Sequence, residues 1–223
     1  MTGKTMFITG ASSGIGAATA RAATEAGWNV GLFARSADKV AALAEELGET
    51  ALALPGDVTA LDQQTDALAR LSERFGGVDA AFANAGTGLD VPGTENGDPA
   101  AWHALVHINI LGVLYTAKAA LPHLKARKGH MLLTGSAAGR RTIAGSVYGA
   151  SKWFVHGYGG NLAEEMAEWG GRCTIIAPGM VNTAFFDEEK PDKIQPSDIA
   201  EAVLYAVSTS DKASVREVFV MPS

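Results

Sequence analysis

Seven short runs rich in Val, Ile, Phe and Leu punctuate the chain, and longer stretches with helical spacing run between them. No other feature constrains the fold as strongly. Near-continuous apolar runs are what strands become when both faces of a sheet are covered, and the helical stretches supply the crossovers that parallel strands require. The runs are Thr5–Thr9, Asn29–Ala34, Ala51–Leu54, Val78–Ala83, His130–Thr134, Cys173–Ala177 and Val215–Val220. The spacing predicts six helices between them. The fourth starts at Asp98-Pro99, where the carboxylate can cap the first turn and the proline lacks only an N–H that would have no partner. The last starts similarly at Pro196-Ser197-Asp198. This order predicts an α/β architecture, a doubly wound parallel sheet of seven strands with helices on both faces. No repeat, linker or compositional break divides residues 1–223, so a single domain is expected.

Composition narrows the classes of partner. The 223 residues are long enough to bury a large core. Eighteen Lys and Arg against twenty-four Asp and Glu leave a net charge of -6. That balance offers no cationic excess for a phosphate backbone or an anionic membrane, so neither nucleic acid nor membrane is expected as a partner. The apolar stretch Ile108 to Pro122 is broken by Lys118 and falls short of the roughly 20 residues that a bilayer span needs. Met1-Thr2-Gly3-Lys4 leads directly into the first run without a secretory pattern, which predicts a cytoplasmic protein. Cys173, the single cysteine, lies in an apolar run and reads as a small core residue in a reducing compartment.

Directly after the first run stands Thr9-Gly10-Ala11-Ser12-Ser13-Gly14-Ile15-Gly16, and helical spacing begins at Gly14. Glycines let a backbone approach a pyrophosphate closely, and the free N–H groups and positive end of the helix stabilise its charge. A dinucleotide is the natural ligand of such a turn at the first strand of a doubly wound sheet. At the end of the second strand an acid would hold a ribose 2'-hydroxyl, but this chain has Phe33-Ala34-Arg35-Ser36 there. A guanidinium in that place favours a 2'-phosphate, hence NADP(H) over NAD(H), with NAD(H) still possible. Asp57-Val58 follows the third strand, where the carboxylate can take a hydrogen bond from an adenine amino group or simply shape the turn. Asn84-Ala85-Gly86 follows the fourth, where the amide can bond backbone, as a purely structural tie or while its two small neighbours leave room for a nucleoside.

Ser146-Val147-Tyr148-Gly149-Ala150-Ser151-Lys152 opens a helix, and the i,i+4 spacing sets Tyr148 and Lys152 on one face. An ammonium beside a phenol favours the phenolate and brings its pKa from near 10 toward neutrality, where it can exchange a proton with an alcohol or carbonyl oxygen. Ser136 ends the fifth strand and can hydrogen-bond the same substrate oxygen.

These separated motifs together resemble the short-chain dehydrogenase/reductase family, in its single-domain, Rossmann-like branch, from Thr5 to Met221. The pattern T-G-x-x-x-G-x-G is met by Thr9, Gly10, Gly14 and Gly16, N-A-G by Asn84 to Gly86, and Y-x-x-x-K by Tyr148 and Lys152. The resemblance implies a catalytic tetrad of Asn109, Ser136, Tyr148 and Lys152. In it the tyrosine is acid and base, the lysine also holds the nicotinamide ribose, the serine polarises the carbonyl, and the asparagine anchors a relay water through a local helix distortion. It also implies that Pro178, Gly179, Val181 and Thr183 run along the nicotinamide. The expected activity is hydride transfer between NADP(H) and a small-molecule secondary alcohol or ketone. A cofactor-sensing regulator and a reductase of acyl chains on a carrier protein are the alternatives. The family further implies a homo-oligomer, a tetramer or dimer, joined through the fourth and fifth helices.

Four details complete the expectation. The loop Gly139 to Ser146 is one residue shorter than is usual in the family. Ala184 to Gln195 reads as a lid, acidic at Asp187-Glu188-Glu189, and the substrate pocket is expected among Thr87-Gly88-Leu89, Ala137-Ala138, Met180-Val181 and Phe185-Phe186. Gly159-Gly160 inside the fifth helix costs about 1 kcal/mol per residue relative to Ala, which close packing against a partner helix would offset. His103 and His107 lack a third ligand, so no metal is expected, and Arg140-Arg141 reads as a solvated loop pair.

Overall fold

The computed structural model describes residues 3–89, 91, 93–183, 185 and 191–223. Seven strands, β1 (Thr5–Thr9), β2 (Asn29–Ala34), β3 (Ala51–Pro55), β4 (Ala80–Ala83), β5 (His130–Thr134), β6 (Arg172–Pro178) and β7 (Glu217–Val220), form one sheet in the order β3-β2-β1-β4-β5-β6-β7. Every pairing is parallel. The winding reverses between β1 and β4, and a doubly wound sheet opens its ligand crevice at that point, outside the carboxyl ends of the strands.

Six helices cover the sheet: α1 (Gly14–Glu25), α2 (Ala37–Leu47), α3 (Leu61–Phe75), α4 (Pro99–Arg127), α5 (Val147–Ala167) and α6 (Pro196–Ser208). Alternation along the strands divides the core into two layers. Phe7, Phe33, Leu54 and Met131 face α3, α4 and α5, while Met6, Ile8, Leu32 and Leu132 face α1, α2 and α6. Asp98 caps α4 by accepting a hydrogen bond from Ala100 N at 2.9 Å, and Pro99 takes the first helical position. Gln195 and Asp198 form a capping box at the start of α6.

The structure moves some boundaries. Val78 is buried but precedes the ladder, because β4 first pairs at Ala80, opposite Met6 and His130. Likewise β7 joins β6 only at Glu217. Helix α4 extends well beyond the apolar run read from the sequence, and by length and composition it could cross a bilayer. Here Leu105, Val113, Ala117, Ala120 and Leu124 bury that apolar face inside the fold. Gly159 also has a different cause from the one expected: a Cβ there would stand 2.7 Å from Ile175 Cγ1, so the glycine lets α5 settle on the sheet. Gly160 is exposed with open space around it.

Candidate active site

The glycine turn joins β1 to α1 at the switch point. Gly10 has φ +66° and Gly14 has φ +52°, the left-handed region that glycine adopts freely. A Cβ on Gly10 would lie 2.9 Å from Ala85 Cα, and one on Gly16 would collide with the Gly10 carbonyl oxygen. Ser13 stands at the N-cap of α1 without a side-chain capping bond, so the helix start presents its backbone to the turn. These features suit a pyrophosphate, whose oxygens need close backbone approach and unspent N–H groups. Ser12, Ser13 and Gly14 also line a cleft of about 500 Å3 between α1 and α2, with Lys39 on its far side. Sequence reasoning passed over Lys39, although a second cation four positions after Arg35 was visible. Arg35 itself is exposed and has no carboxylate partner among the described residues.

Behind the turn, hydrogen bonds tie three strand ends together. Thr9 Oγ1 accepts from Asn84 N at 3.0 Å and Ala85 N at 3.1 Å, Asn84 Nδ2 donates to Thr9 O at 3.1 Å, and Thr134 Oγ1 donates to Asn84 Oδ1 at 3.2 Å. The side chain of Asn84 thus works as a brace between β1, β4 and β5. Asp57 shapes its turn, with Oδ1 accepting from Thr59 N and Thr59 Oγ1, each at 2.9 Å. Val58 packs into the core against Gly112, leaving only its backbone for a ligand.

The same edge gathers Ser136, Tyr148, Lys152 and Asn109. Ser136 caps the 3₁₀ turn Ala137–Arg140, its Oγ accepting from Ala138 N at 3.1 Å. Tyr148 and Lys152 lie one turn apart on α5, which Ser146 caps. Lys152 is buried and donates from Nζ to Thr134 O at 2.8 Å; burial pushes it down to about 8. Burial raises the Tyr148 phenol from its ordinary value, while a side-chain hydrogen bond with Ser136 opposes that rise. The phenol therefore stands above its ordinary value, not drawn toward neutrality as the neighbouring ammonium led us to expect. Lys152 Nζ sits 5.7 Å from the Tyr148 ring centroid, over the ring, and desolvation outweighs it.

Asn109 lies in a π turn, His107–Leu111, that interrupts α4. Such bulges cluster at functional sites because they re-aim a side chain within an otherwise regular helix. Asn109 Oδ1 accepts from Thr87 N at 2.9 Å, and Nδ2 donates to Thr87 O at 2.9 Å and Ser151 Oγ at 3.2 Å. One buried amide thus joins the loop after β4 to α4 and α5.

Pro178 to Thr183 arches back over the glycine turn. Gly179 N donates to Val220 O at 2.7 Å, and Val181 bridges Ile194 with its side chain in the core. A Cβ on Gly14 would stand 3.1 Å from Thr183 Cγ2, which places Thr183 against the helix start. Phe185 lies over Tyr148, with ring centroids 5.6 Å apart, and against Gly88. Ala137 and Ala138 are nearby in sequence to Ser136 and buried, whereas Met180 is exposed. Ala184, Phe186, Asp187-Glu188-Glu189 and Lys190 lie outside the described residues. Arg140 is engaged by Glu217 rather than simply solvated. The rings of His103 and His107 lie tilted to one another with centroids 4.2 Å apart, and no metal-ligating group of three forms among the described residues.

A doubly wound parallel sheet with a glycine turn at its switch-point edge defines a Rossmann-like fold. Residues 4–194 match the family model for short chain dehydrogenases, and the chain belongs to that family. An uncharacterized oxidoreductase of Staphylococcus aureus (strain MRSA252) is 37% identical over 228 residues, covering 100% of this chain and 98% of its own. Among solved structures, an alcohol dehydrogenase from the archaeon Thermococcus sibiricus, complexed with 5-hydroxy-NADP, is 32% identical with a TM-score of 0.89, covering 98% of this chain and 96% of its own. The closed form of a serine dehydrogenase complexed with NADP+ is 26% identical with a TM-score of 0.91, covering 98% and 94%.

Proposed function

We propose that the protein is an NADP(H)-dependent oxidoreductase that interconverts a small secondary alcohol and its ketone. The observation that carries this reading is the gathering of Ser136, Tyr148 and the buried Lys152, its Nζ 5.7 Å from the Tyr148 ring centroid, at the edge where the glycine turn opens. In this reading Gly10, Ser12, Ser13, Gly14, Ile15 and Gly16 hold the pyrophosphate. Arg35 takes the 2'-phosphate, with Lys39 across the neighbouring cleft adding positive charge. Asp57 and Val58 flank the adenine, Asn84, Ala85 and Gly86 border the nucleoside, and Pro178, Gly179, Val181 and Thr183 run along the nicotinamide, whose ribose Tyr148 and Lys152 reach. The bound cofactor supplies or accepts the hydride.

The chain's own residues manage the proton. In reduction, Tyr148 Oη gives its proton to the substrate oxygen; in oxidation it takes the proton back. Ser136 donates a hydrogen bond to that oxygen and so stabilises the charge it gathers. The Lys152 ammonium stabilises the phenolate left behind, and Asn109 secures the relay water by which the phenol is recharged. Phe185, lying over Tyr148, excludes solvent and makes the pocket apolar. The same reading makes the protein a homo-oligomer that joins through α4 and α5, where Val106 and Trp153 remain exposed.

The test is NADPH oxidation followed by absorbance against aliphatic, aryl and alicyclic ketones, aldehydes and 3-oxo acids, with the matching secondary alcohols and NADP+ for the reverse direction and NADH in parallel. Turnover concentrated in one class and faster with NADPH is expected. Arg35→Ser should cost about 10- to 100-fold in kcat/KM for NADPH and little for NADH, as for loss of one charge-assisted phosphate contact. Preference for NADH in the wild type would overturn the assignment of Arg35.

A further inference from the structure

His156 lies one turn beyond Lys152 on α5, and the proton transfer described above makes no use of it. Its imidazole is buried, 7% exposed, beneath the 3₁₀ turn that carries Ser136. Two glycines make that position possible: a Cβ on Gly135 would stand 2.8 Å from His156 Nε2, and one on Gly139 2.6 Å from Cδ2. The close approach is directed at one peptide residue. Nε2 is 3.4 Å from Ser136 N and 3.1 Å from Ser136 O. On the opposite edge of the ring, Nδ1 is 3.3 Å from Glu217 Oε1 on β7. Glu217 in turn pairs with the guanidinium of Arg140, the last residue of the same 3₁₀ turn. The chain of contacts therefore starts at Ser136 and returns to its own turn four residues later.

Hydrogen-bond inventory gives this arrangement two states. The contact of Nδ1 with Glu217 Oε1 is electrostatic, without hydrogen-bond geometry; a carboxylate beside it favours the single proton of a neutral ring on Nδ1, and Nε2 then accepts from Ser136 N–H. When the ring is protonated, Nε2 can only donate, and its partner becomes Ser136 C=O. One imidazole thus holds opposite ends of the Ser136 backbone according to its charge. The charged groups around it are Glu217 on β7, Arg140 on the 3₁₀ turn and Lys152 on α5 itself. Burial disfavours the charged ring most, Glu217 and the Ser136 backbone favour it, and Arg140 and Lys152 oppose it, which leaves His156 below its ordinary value and neutral at physiological pH.

We propose that His156 is a positioning residue for Ser136, backed by Glu217 and Arg140: in its neutral form it accepts from Ser136 N–H and holds the serine hydroxyl toward Tyr148, and its protonation resets that peptide. The proposal rests on the role given above to Ser136. Ser136 Oγ already accepts from Ala138 N, so its own proton is free to serve Tyr148 or the substrate oxygen. A rotation of the peptide that Nε2 holds would re-aim that hydroxyl, and misplacements of this kind cost catalysis far more than stability.

The first test needs no substrate. In the cofactor-free protein, the Ser136 backbone amide 15N shift is followed from about pH 8 to about pH 5, where an imidazole titrates. It should inflect together with the His156 ring resonances, and His156→Gln, which keeps a polar group but does not titrate, should flatten it. The second test uses the panel substrate turned over fastest. His156→Phe should lower kcat about tenfold or more with the Kd for NADPH within about twofold, and His156→Gln should recover most of the loss. On a Ser136→Ala background the same His156→Phe change should cost under about twofold, because the hydroxyl it positions is gone. A Ser136 amide that ignores the titration of His156, or an equal His156→Phe penalty with and without the Ser136 hydroxyl, overturns the proposal. Ser136→Ala with wild-type kcat would overturn the reading of Ser136 instead. If His156→Phe fails to fold, the amide titration of wild type and His156→Gln decides alone.

Discussion

The two sides of the switch point are built to hold their partners by different means. On the β1–β2 side, the glycine turn, the uncapped start of α1 and the cleft beside it offer mainly backbone, with Gly10 and Gly14 at positive φ and Gly16 too crowded for a Cβ. On the β4–β6 side nearly every contribution is a side chain, and each is tied to a distant segment: Asn84 to Thr9 and Thr134, Asn109 to Thr87 and Ser151, Lys152 to Thr134, and His156 to Ser136. A backbone-built site tolerates exchange of its side chains but not the addition of atoms. A side-chain-built site has the opposite sensitivity, since chemistry is lost with a single hydroxyl while the fold persists.

The contrast is broken most sharply at Tyr148. Tyr148→Phe removes one oxygen from a half-buried ring that packs against Phe185. Turnover should fall on the order of 10³-fold, the size of a lost general acid–base group. The Kd for NADPH, measured by fluorescence quenching, should stay within a few-fold of wild type. Turnover near the wild-type level would remove Tyr148 from the chemistry.

Gly16→Ala sets the opposite case. The added methyl meets a backbone carbonyl, at Gly10, and neither can move without displacing the turn. Overpacking of this kind costs about 1–3 kcal/mol, so the Kd for NADPH should rise roughly tenfold to a hundredfold while kcat at saturating cofactor changes only a few-fold. Ser12→Ala and Ser13→Ala, which take side chains away from the same turn, should change Kd less than Gly16→Ala does. A larger loss from the serines would mean that this side also works through its side chains.

What could be read from the sequence follows the same division. Strands betray themselves by apolar runs, so all seven were legible, with ends shifted by a residue or two: β4 starts only at Ala80 although Val78 is buried, β7 only at Glu217, β3 runs on to Pro55, and β6 spans Arg172 to Pro178. The glycine turn was legible because closeness to a ligand forbids side chains, and that leaves a spacing behind. Tyr148 and Lys152 share one helix, so their partnership is local. Asn84 was legible as a structural tie but its partners Thr9 and Thr134 were not, and the reach of His156 to Ser136 twenty residues away and the pairing of Arg140 with Glu217 leave no spacing. They depend on which strand ends meet at one edge. Gly159 shows the converse: its glycine was visible, but only the approach of Ile175 explains it.

The smallest effect is expected in acid, and it too separates the two sides. All five histidines follow residue 102, so none lies in β1–β3 or their helices. His130, on β5, is 2% exposed, and its Nε2 lies 2.7 Å from Thr174 Oγ1. Thr174 gives its own proton to Val215 O, so His130 must donate from Nε2, which leaves Nδ1 as a buried acceptor with no partner among the described residues. Protonating Nδ1 would put an unpaired charge in the core. Burial, assisted by the Arg172 charge, accordingly pushes His130 down to about 3. Since the folded value is below the unfolded one of about 6.5, the unfolded chain takes up a proton that the native state refuses, and stability present above that value is lost as pH falls toward the folded pKa. Between pH 7 and pH 5 this one residue should cost about 2 kcal/mol. The drop in Tm between those two pH values should shrink in His130→Gln, and NADPH Kd measured on the protein still folded at the lower pH should show no matching change from this group. An undiminished drop in the variant would place the acid sensitivity elsewhere, with His156 the next group to examine because burial lowers it too.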